Sequence, residues 1–378
     1  GEVNGLAERG LGMIETAFEA LADVTPKQNQ GFNRHIQRTP KGVVFVVAPW
    51  NYPLLTTVNS VIPAIMAGNA VVLKPSAQTP LSGERFAQAF AAAGAPQGLV
   101  QTLFLQHDYT NQLLADGAFD FTCFTGSVGA GQTIERQAAG TFKGVSLELG
   151  GKDPAYVCAD SNIQYVAEQL ADGAFFNSGQ SFCGIERIYV EQAAYANFVE
   201  ALVAEVNKYQ LGDPRLQDTT LGPMVKTSAA DFVREQTQQA AQAGAQLLID
   251  PAKFNANTGT YLPPQVLIDV DHSMAIMRDE SFGPVVGVMP VKDDEQAITL
   301  MNDSEFGLTA SIWTQDVQRA ERIGQHVDTG TVFMNRCDYL DPALVWTGVK
   351  NTGRGYSLST LGYEQLTQAK SFHFKLSQ

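Results

Sequence analysis

GVVFVVAP (42–49), NAVVLKPS (69–76), LVQTLFL (99–105), DFTCFTG (120–126) and GVSLELGG (144–151) are five short apolar runs, each followed by Gly, Pro or a polar turn. The segments between them, such as LSGERFAQAFAAAGA (81–95), have helical period and length. Continuous apolar strands alternating with helices fit a parallel sheet covered on both faces. Five strands and four crossovers therefore predict a doubly wound parallel sheet from Lys41 to Gly151. Sheets of this kind bind ligands beyond the carboxyl ends of their strands.

A second alternating set follows. The pattern predicts a helix from Asn162 to Phe176, a strand at GIERIYVE, helices over Tyr195 to Tyr209 and Ala229 to Ala243, and strands near Gln265 to Asp269 and Pro284 to Pro290. The expected organisation is a cofactor-type α/β domain (1–26 and 41–150) and a second α/β domain (151–350). The segment TPKQNQGFNRHIQRTPK (25–41) and the tail AKSFHFKLSQ (369–378) read as edge strands outside either core. The bridging arms are set at 27–40 and 356–378. The opening, GEVNGLAERGLGMIETAFEALADV, reads as the middle of a helical region, so an N-terminal segment is expected to be absent.

The 378 residues suffice for two or three packed units. With 39 acidic and 25 basic residues the net charge is −14, which argues against nucleic acid or an anionic membrane as partner. No apolar stretch approaches the roughly 20 residues of a membrane-spanning helix. Cys123, Cys158, Cys183 and Cys337 lie far apart, without zinc-site spacing or the density of a disulfide scaffold. A soluble protein of a reducing, cytoplasmic setting is expected, with no metal.

Four motifs carry chemistry. In VVAPWNYP (46–53) a strand ends and a helix begins, and Asn51 either donates to a developing oxyanion or caps the helix. In KPSAQTP (74–80) and FTGSVGAG (124–131), Lys74 ends a strand and Gly126 and Ser127 open a helix whose first amides can meet a pyrophosphate. The spacing departs from GxGxxG, and a structural turn is the competing reading. In LELGGKDP (147–154), Glu148 ends a strand as a general base of raised pKa or as a surface carboxylate. The two glycines after it suggest a close backbone approach. In FFNSGQSFCGIERIYV (175–190), Cys183 is the thiol of a small-residue turn, a nucleophile or a small buried hydrophobe.

In series, and together with DESFGPVVGV (279–288), GTVFMNR (330–336) and WTGVKNTGRG (346–355), these motifs resemble the aldehyde dehydrogenase superfamily across essentially the whole chain. The resemblance implies a doubly wound cofactor domain, an α/β catalytic domain and an oligomerisation arm. It implies NAD or NADP as cofactor, an aldehyde as substrate, and a homodimer or homotetramer. Asn51 matches the oxyanion-stabilising asparagine and Glu148 the general base. Lys74 matches the lysine at the adenosine ribose and Ser127 the serine beside the pyrophosphate. Glu280 matches the carboxylate on the nicotinamide ribose and Phe282 the aromatic near the nicotinamide. Ala48, Pro49, Trp50, Ser76, Ala77, Gly126 and Leu149 join the cofactor-binding set. Tyr52, Phe176, Tyr339 and Trp346 fall in segments that line either an aromatic substrate tunnel or the core.

The chain departs from the family at the decisive place. The nucleophile is the fourth residue of GQxC, and here Gly179, Gln180 and Ser181 lead to Phe182, with Cys183 one position late. Phenylalanine cannot attack an aldehyde. Cys183 would have to act from a neighbouring Cα about 3.8 Å away, where the side chain often points elsewhere. The expected protein is thus inactive or strongly impaired. The competing readings are activity through Cys183, a thiol-free route from an aldehyde hydrate with Glu148 as base, and a non-catalytic nucleotide-binding protein. Many NAD-preferring members carry Glu where this chain has Ala77, which leaves NADP open as well as NAD.

Overall fold

The computed structural model describes residues 1–254 and 258–376, so Ser377 and Gln378 of the expected C-terminal arm lie outside the described residues. The chain forms two compact units. The first comprises Gly1–Leu149, Leu340–Thr347 and Gly353–Gln378, and the second comprises Gly150–Tyr339 and Gly348–Thr352. Residues 340–347, grouped above with the second domain, thus belong to the first unit, where Trp346–Thr347 pairs with Tyr356–Ser357.

In the first unit the five expected strands are Val43–Val47, Ala70–Lys74, Val100–Thr102, Phe121–Thr125 and Gly144–Glu148. All pair in parallel, and Gly353–Arg354 adds an antiparallel edge beside Gly144–Glu148. From Val43–Val47 the chain builds outward first through Ala70–Lys74 to Val100–Thr102. It then returns to place Phe121–Thr125 and Gly144–Glu148 on the opposite side. That reversal makes a topological switch point between Val43–Val47 and Phe121–Thr125, where doubly wound sheets open a ligand crevice. Phe45 stacks on Phe119, with ring centroids 4.2 Å apart, within an apolar cluster that includes Phe124, Val145 and Leu147.

The second unit holds a seven-stranded sheet in the order Thr331–Met334, Thr309–Trp313, Asp153–Val157, Ile185–Glu191, Val285–Val291, Gln265–Ile268 and Gln246–Leu247. Every pairing is parallel except the last. Alternate residues feed two separate cores. Tyr156, Tyr189, Val285 and Ile312 lie in one, while Ala155, Ile188, Val286 and Trp313 lie in the other. The sequence pattern did not predict Asp153–Val157, because Pro154 interrupts it. A register shift between Asp153 and Pro154 accommodates the imide at the start of this central strand.

The two arms, expected as separate edge strands, pair with each other instead. Phe32–Pro40 and Thr367–Lys375 form a nine-residue antiparallel ribbon, and His35 stacks on Phe372 at 4.5 Å. Directly opposed aromatic pairs of this kind fix a register that backbone bonds alone leave loose.

One side chain ties the entry of the first unit's sheet to its C-terminal turn. Fully buried Asn69 accepts from the amides of Lys41 and Gly42 at 2.8 and 2.9 Å and donates to the carbonyls of Ala64 and Leu366, both at 3.0 Å. Replacing Asn69 with Ala orphans three of these groups, the amides of Lys41 and Gly42 and the carbonyl of Leu366, because the backbone amide of residue 69 still donates to the Ala64 carbonyl at 2.9 Å. Each buried polar atom left unpaired costs about 1–3 kcal/mol. Denaturant titration of Asn69→Ala is expected to show a loss of at least about 3 kcal/mol, and a loss below about 1 kcal/mol refutes this role.

Candidate active site

In the first unit the marked residues gather at the carboxyl ends of neighbouring parallel strands. Val43–Val47 leads into Ala48, Pro49, Trp50 and Asn51 before the helix Leu55–Met66. That helix is capped at Leu54 rather than at Asn51, and the amides of Leu54 and Leu55 donate to Oε1 of Glu2 at 2.9 and 3.1 Å. The capping role weighed for Asn51 is therefore filled by another residue.

Lys74 ends the next strand with its stem buried. Its ammonium has no hydrogen bond or ion pair among the described residues, and burial lowers its pKa. A desolvated cation without a partner is costly, and it is readily offset by a polar or anionic ligand. Ser76 is half-buried and Ala77 exposed in the turn that follows. Ser127 is the N-cap of Val128–Ala138, yet its side chain makes no capping bond. No N-cap side chain bonds the first amides of that helix, an arrangement that suits a phosphate. Gly126 is spent structurally, since its amide donates to the carbonyl of Glu148 at 3.0 Å. A Cβ on Gly131 would lie 2.4 Å from Leu149, so the helix seats tightly on that side chain.

Glu148 ends Gly144–Glu148 and accepts from Ser357 Oγ at 2.7 Å and Thr125 Oγ1 at 3.3 Å. Burial raises its carboxyl above the usual range, while those two hydroxyls and the charge of Arg9 pull it back. A carboxylate whose proton affinity is raised in this way is a candidate general base.

In the second unit the marked residues enter strands rather than leave them. Gly150–Lys152 precede Asp153–Val157, Phe182 and Cys183 precede Ile185–Glu191, and Glu280 and Phe282 precede Val285–Val291. These three strands are adjacent in the sheet, so the three loops meet at one edge. The turn before Ile185 is strained, with Asn177 and Ser178 at φ 52° and 58°. Gly179 permits its closure, because a Cβ there would sit 2.1 Å from the carbonyl oxygen of Gly283.

Cys183 is 2 % exposed and its thiol donates to Oδ1 of Asp338 at 2.7 Å. Burial pushes its pKa far up, and the Asp338 charge pushes it further. This is the environment of an inert thiol, not of a thiolate nucleophile. Phe182 is half-buried. Glu280 accepts from the amide of Gly151 at 2.9 Å, and burial together with the Glu186 charge raises it to about 7. Phe282 adopts φ 50°, held by its amide donating to Glu186 Oε1 at 2.9 Å.

Of the residues weighed for a substrate tunnel, Phe176 is 49 % exposed whereas Trp346 is buried. Tyr339 is half-buried and stacks beneath Arg336, whose guanidinium carbon lies 3.8 Å from its ring centroid. Sequence reasoning missed Lys152, Glu186 and Arg187, which form a buried polar cluster beneath the second unit's loops. The available signal was charge inside the apolar runs LELGGK and GIERIYV.

The chain matches the model of the family described as "Aldehyde dehydrogenase family" over residues 3–372. It is 34 % identical over 359 residues to the succinate semialdehyde dehydrogenase [NAD(P)+] Sad of Escherichia coli, covering 95 % of this chain and 76 % of that one. Among solved structures it resembles an NAD-dependent aldehyde dehydrogenase from Sinorhizobium meliloti, with a TM-score of 0.95 and 31 % identity over 100 % of this chain and 75 % of that one. It also resembles an NADP-dependent glyceraldehyde-3-phosphate dehydrogenase from Bacillus halodurans complexed with NADP. There the TM-score is 0.92 and identity 32 %, over 100 % and 79 % of the two chains.

Burial raises all four thiols, Cys123 and Cys158 to about 12 and Cys183 and Cys337 also upward. A thiolate-selective disulfide reagent at pH 8 is therefore expected to label the native protein at least about 100-fold more slowly than free cysteine. Rapid stoichiometric labelling mapped to Cys183 would contradict the assigned environment.

Proposed function

Because the chain belongs to the aldehyde dehydrogenase family, we propose that it binds NAD or NADP and an aldehyde on the framework that oxidises aldehydes to carboxylic acids. We further propose that its own turnover is absent or strongly impaired. The observation that carries this reading is the fate of the one thiol in the GQSFC turn. Cys183 is buried and hydrogen-bonded into Asp338, while Phe182 stands at the nucleophile position.

Fit to the dinucleotide rests on three features of the first unit. Lys74 holds an ammonium without a hydrogen bond or ion pair among the described residues, Val128–Ala138 has no side-chain cap, and both lie along the sheet whose strand order reverses beside Phe121–Thr125. In the first unit Lys74, Ser76, Ser127 and the loop from Ala48 would hold the dinucleotide, and in the second unit Glu280 and Phe282 are the residues that the resemblance assigns to the nicotinamide. When bound, the nicotinamide supplies a hydride acceptor. Ala77 places no carboxylate where it would repel a 2′-phosphate, which supports acceptance of NADP as well as NAD.

Asn51 is the proposed donor to the oxyanion and Glu148 the proposed base, its proton affinity raised by burial. A thiol-free route, in which Glu148 deprotonates an aldehyde hydrate, needs no residue that the chain lacks. The non-catalytic reading is favoured over it by Phe182, whose ring adds bulk without a nucleophile. Four free cysteines support a reducing, cytoplasmic setting. We also propose a homodimer or homotetramer through the ribbon. Its outer strand Thr367–Lys375 leaves one edge open, and its two segments carry Arg34, Arg38, Lys370 and Lys375 without one Asp or Glu.

Calorimetry is expected to detect NAD or NADP binding by the parent protein, and folded protein that binds neither at millimolar concentration refutes the cofactor reading. Phe182→Cys is expected to create or raise aldehyde oxidation, followed by reduced-cofactor absorbance, by at least about 100-fold. Cys183→Ala in the parent is expected to change little, and Phe182→Ala separates steric blockage from the missing sulfur. Parent turnover that Cys183→Ala abolishes would move the nucleophile to Cys183. Light scattering is expected to show a dimer or larger, and a monomer throughout the micromolar range speaks against the ribbon.

A further inference from the structure

Three motif loops of the second unit converge on one buried ion pair. Lys152 and Glu186 are 1 % and 4 % exposed, and their side chains meet at 2.5 Å. Lys152 Nζ also donates to Ser281 Oγ at 3.1 Å. The Glu186 carboxylate accepts the amides of Ser281 at 2.8 Å and Phe282 at 2.9 Å. Arg187 Nε donates to the carbonyl of Lys152 at 2.8 Å, and its guanidinium caps the carbonyls of Leu300 and Met301 at 3.1 and 3.2 Å.

A buried pair of this kind contributes little net stability compared with apolar packing of the same volume. Its geometry is informative for another reason. A carboxylate that receives two successive amides forces them to converge, and here that convergence holds Phe282 at φ 50°. A left-handed conformation at a phenylalanine is costly and persists only when its surroundings impose it. Glu280 is the residue before Ser281, and its own carboxylate is held by Gly151, the residue before Lys152. The pair thus fixes both ends of the Gly151–Glu280 contact.

We propose that Lys152 and Glu186 are positioning residues that set the direction and the charge state of Glu280 for the ribose of the nicotinamide cofactor. The proposal rests on the reading of Glu280 as a cofactor ligand. The charged groups that face Glu280 are Glu186 and Lys152 from the strand ends, with Arg278, Asp279, Asp303 and Glu305 lining the adjoining cleft. Glu186 raises the proton affinity of Glu280 and Lys152 opposes it. An ionised Glu280 accepts two hydroxyl donors, whereas a protonated one competes as a donor itself. Cofactor affinity should therefore rise as pH increases through about 7.

The test is the pH dependence of reduced-cofactor binding, followed by fluorescence, for the parent, Glu186→Gln, Glu280→Gln and the double variant. Glu186→Gln keeps the size and one acceptor, and it removes the charge. The expected result is binding weakened about tenfold at pH 8 and a midpoint moved to lower pH. The double variant should be no weaker than Glu280→Gln alone, since both changes act on one contact. Additive losses, or a midpoint that stays in place in folded Glu186→Gln, overturn the proposal. Glu186→Asp, which keeps the charge, should retain the parent midpoint and guards against a Gln variant that folds poorly. A parent that binds cofactor while Glu280→Gln binds equally well overturns the ligand reading of Glu280 itself, a result separable from failure at Glu186 alone.

Discussion

Parallel strands cannot be joined by tight turns, and their crossovers cover both faces of the sheet, so only the strand ends remain open for chemistry. Both units obey this constraint, at opposite ends. The first presents Asn51, Lys74, Ser127 and Glu148 where strands finish, flanking a reversal of strand order. The second presents Phe182, Glu280 and the glycines of LELGGK where adjacent strands begin. An end that receives strands has no helix N-terminus to offer. There the loops are organised by a buried ion pair and by glycines at close backbone approaches, as with Gly151, whose added Cβ would lie 2.3 Å from the Phe182 carbonyl oxygen.

The first unit was legible because its strands are continuous apolar runs separated by unambiguous helices. All five appear where the pattern puts them, and at four of them, all but Val100–Thr102, the residues at the strand end include ones the resemblance marks. The second unit was less legible for local reasons. Pro154 hides a central strand, and the strands Thr309–Trp313 and Thr331–Met334 are short and offer no clear turn signal. The pairing of the arms could not be read at all, since each looks like an edge strand and nothing local names its partner. Lys152 and Glu186 were hidden differently. A charged residue inside an apolar run reads as a strand terminus, and only three-dimensional contact reveals a complementary pair.

Cys183 illustrates how one position changes chemistry without changing composition. A thiol becomes a nucleophile when a cation, a helix N-terminus or a base lowers its pKa. Cys183 instead faces Asp338, with Asp153 adding to the same effect. A second carboxylate near a buried thiol makes ionisation harder, so the side chain behaves as a weak hydrogen-bond donor that satisfies Asp338. The sequence places sulfur in the turn, and burial with the carboxylates around it disfavours the thiolate.

The ribbon has a consequence for the order in which the chain assembles. Thr39 bonds to the carbonyl of Gln368 at a sequence separation of 329, and the rest of the ribbon spans similar separations. Closing so large a loop in the unfolded chain is entropically costly, and few apolar contacts on the exposed outer strand repay it. The sheet of the first unit, with neighbours tens of residues apart, can form before the ends of the chain meet. The ribbon is then the last element to zip and the first to fray. Any association that uses its open edge inherits that timing, so assembly follows the folding of each chain rather than guiding it.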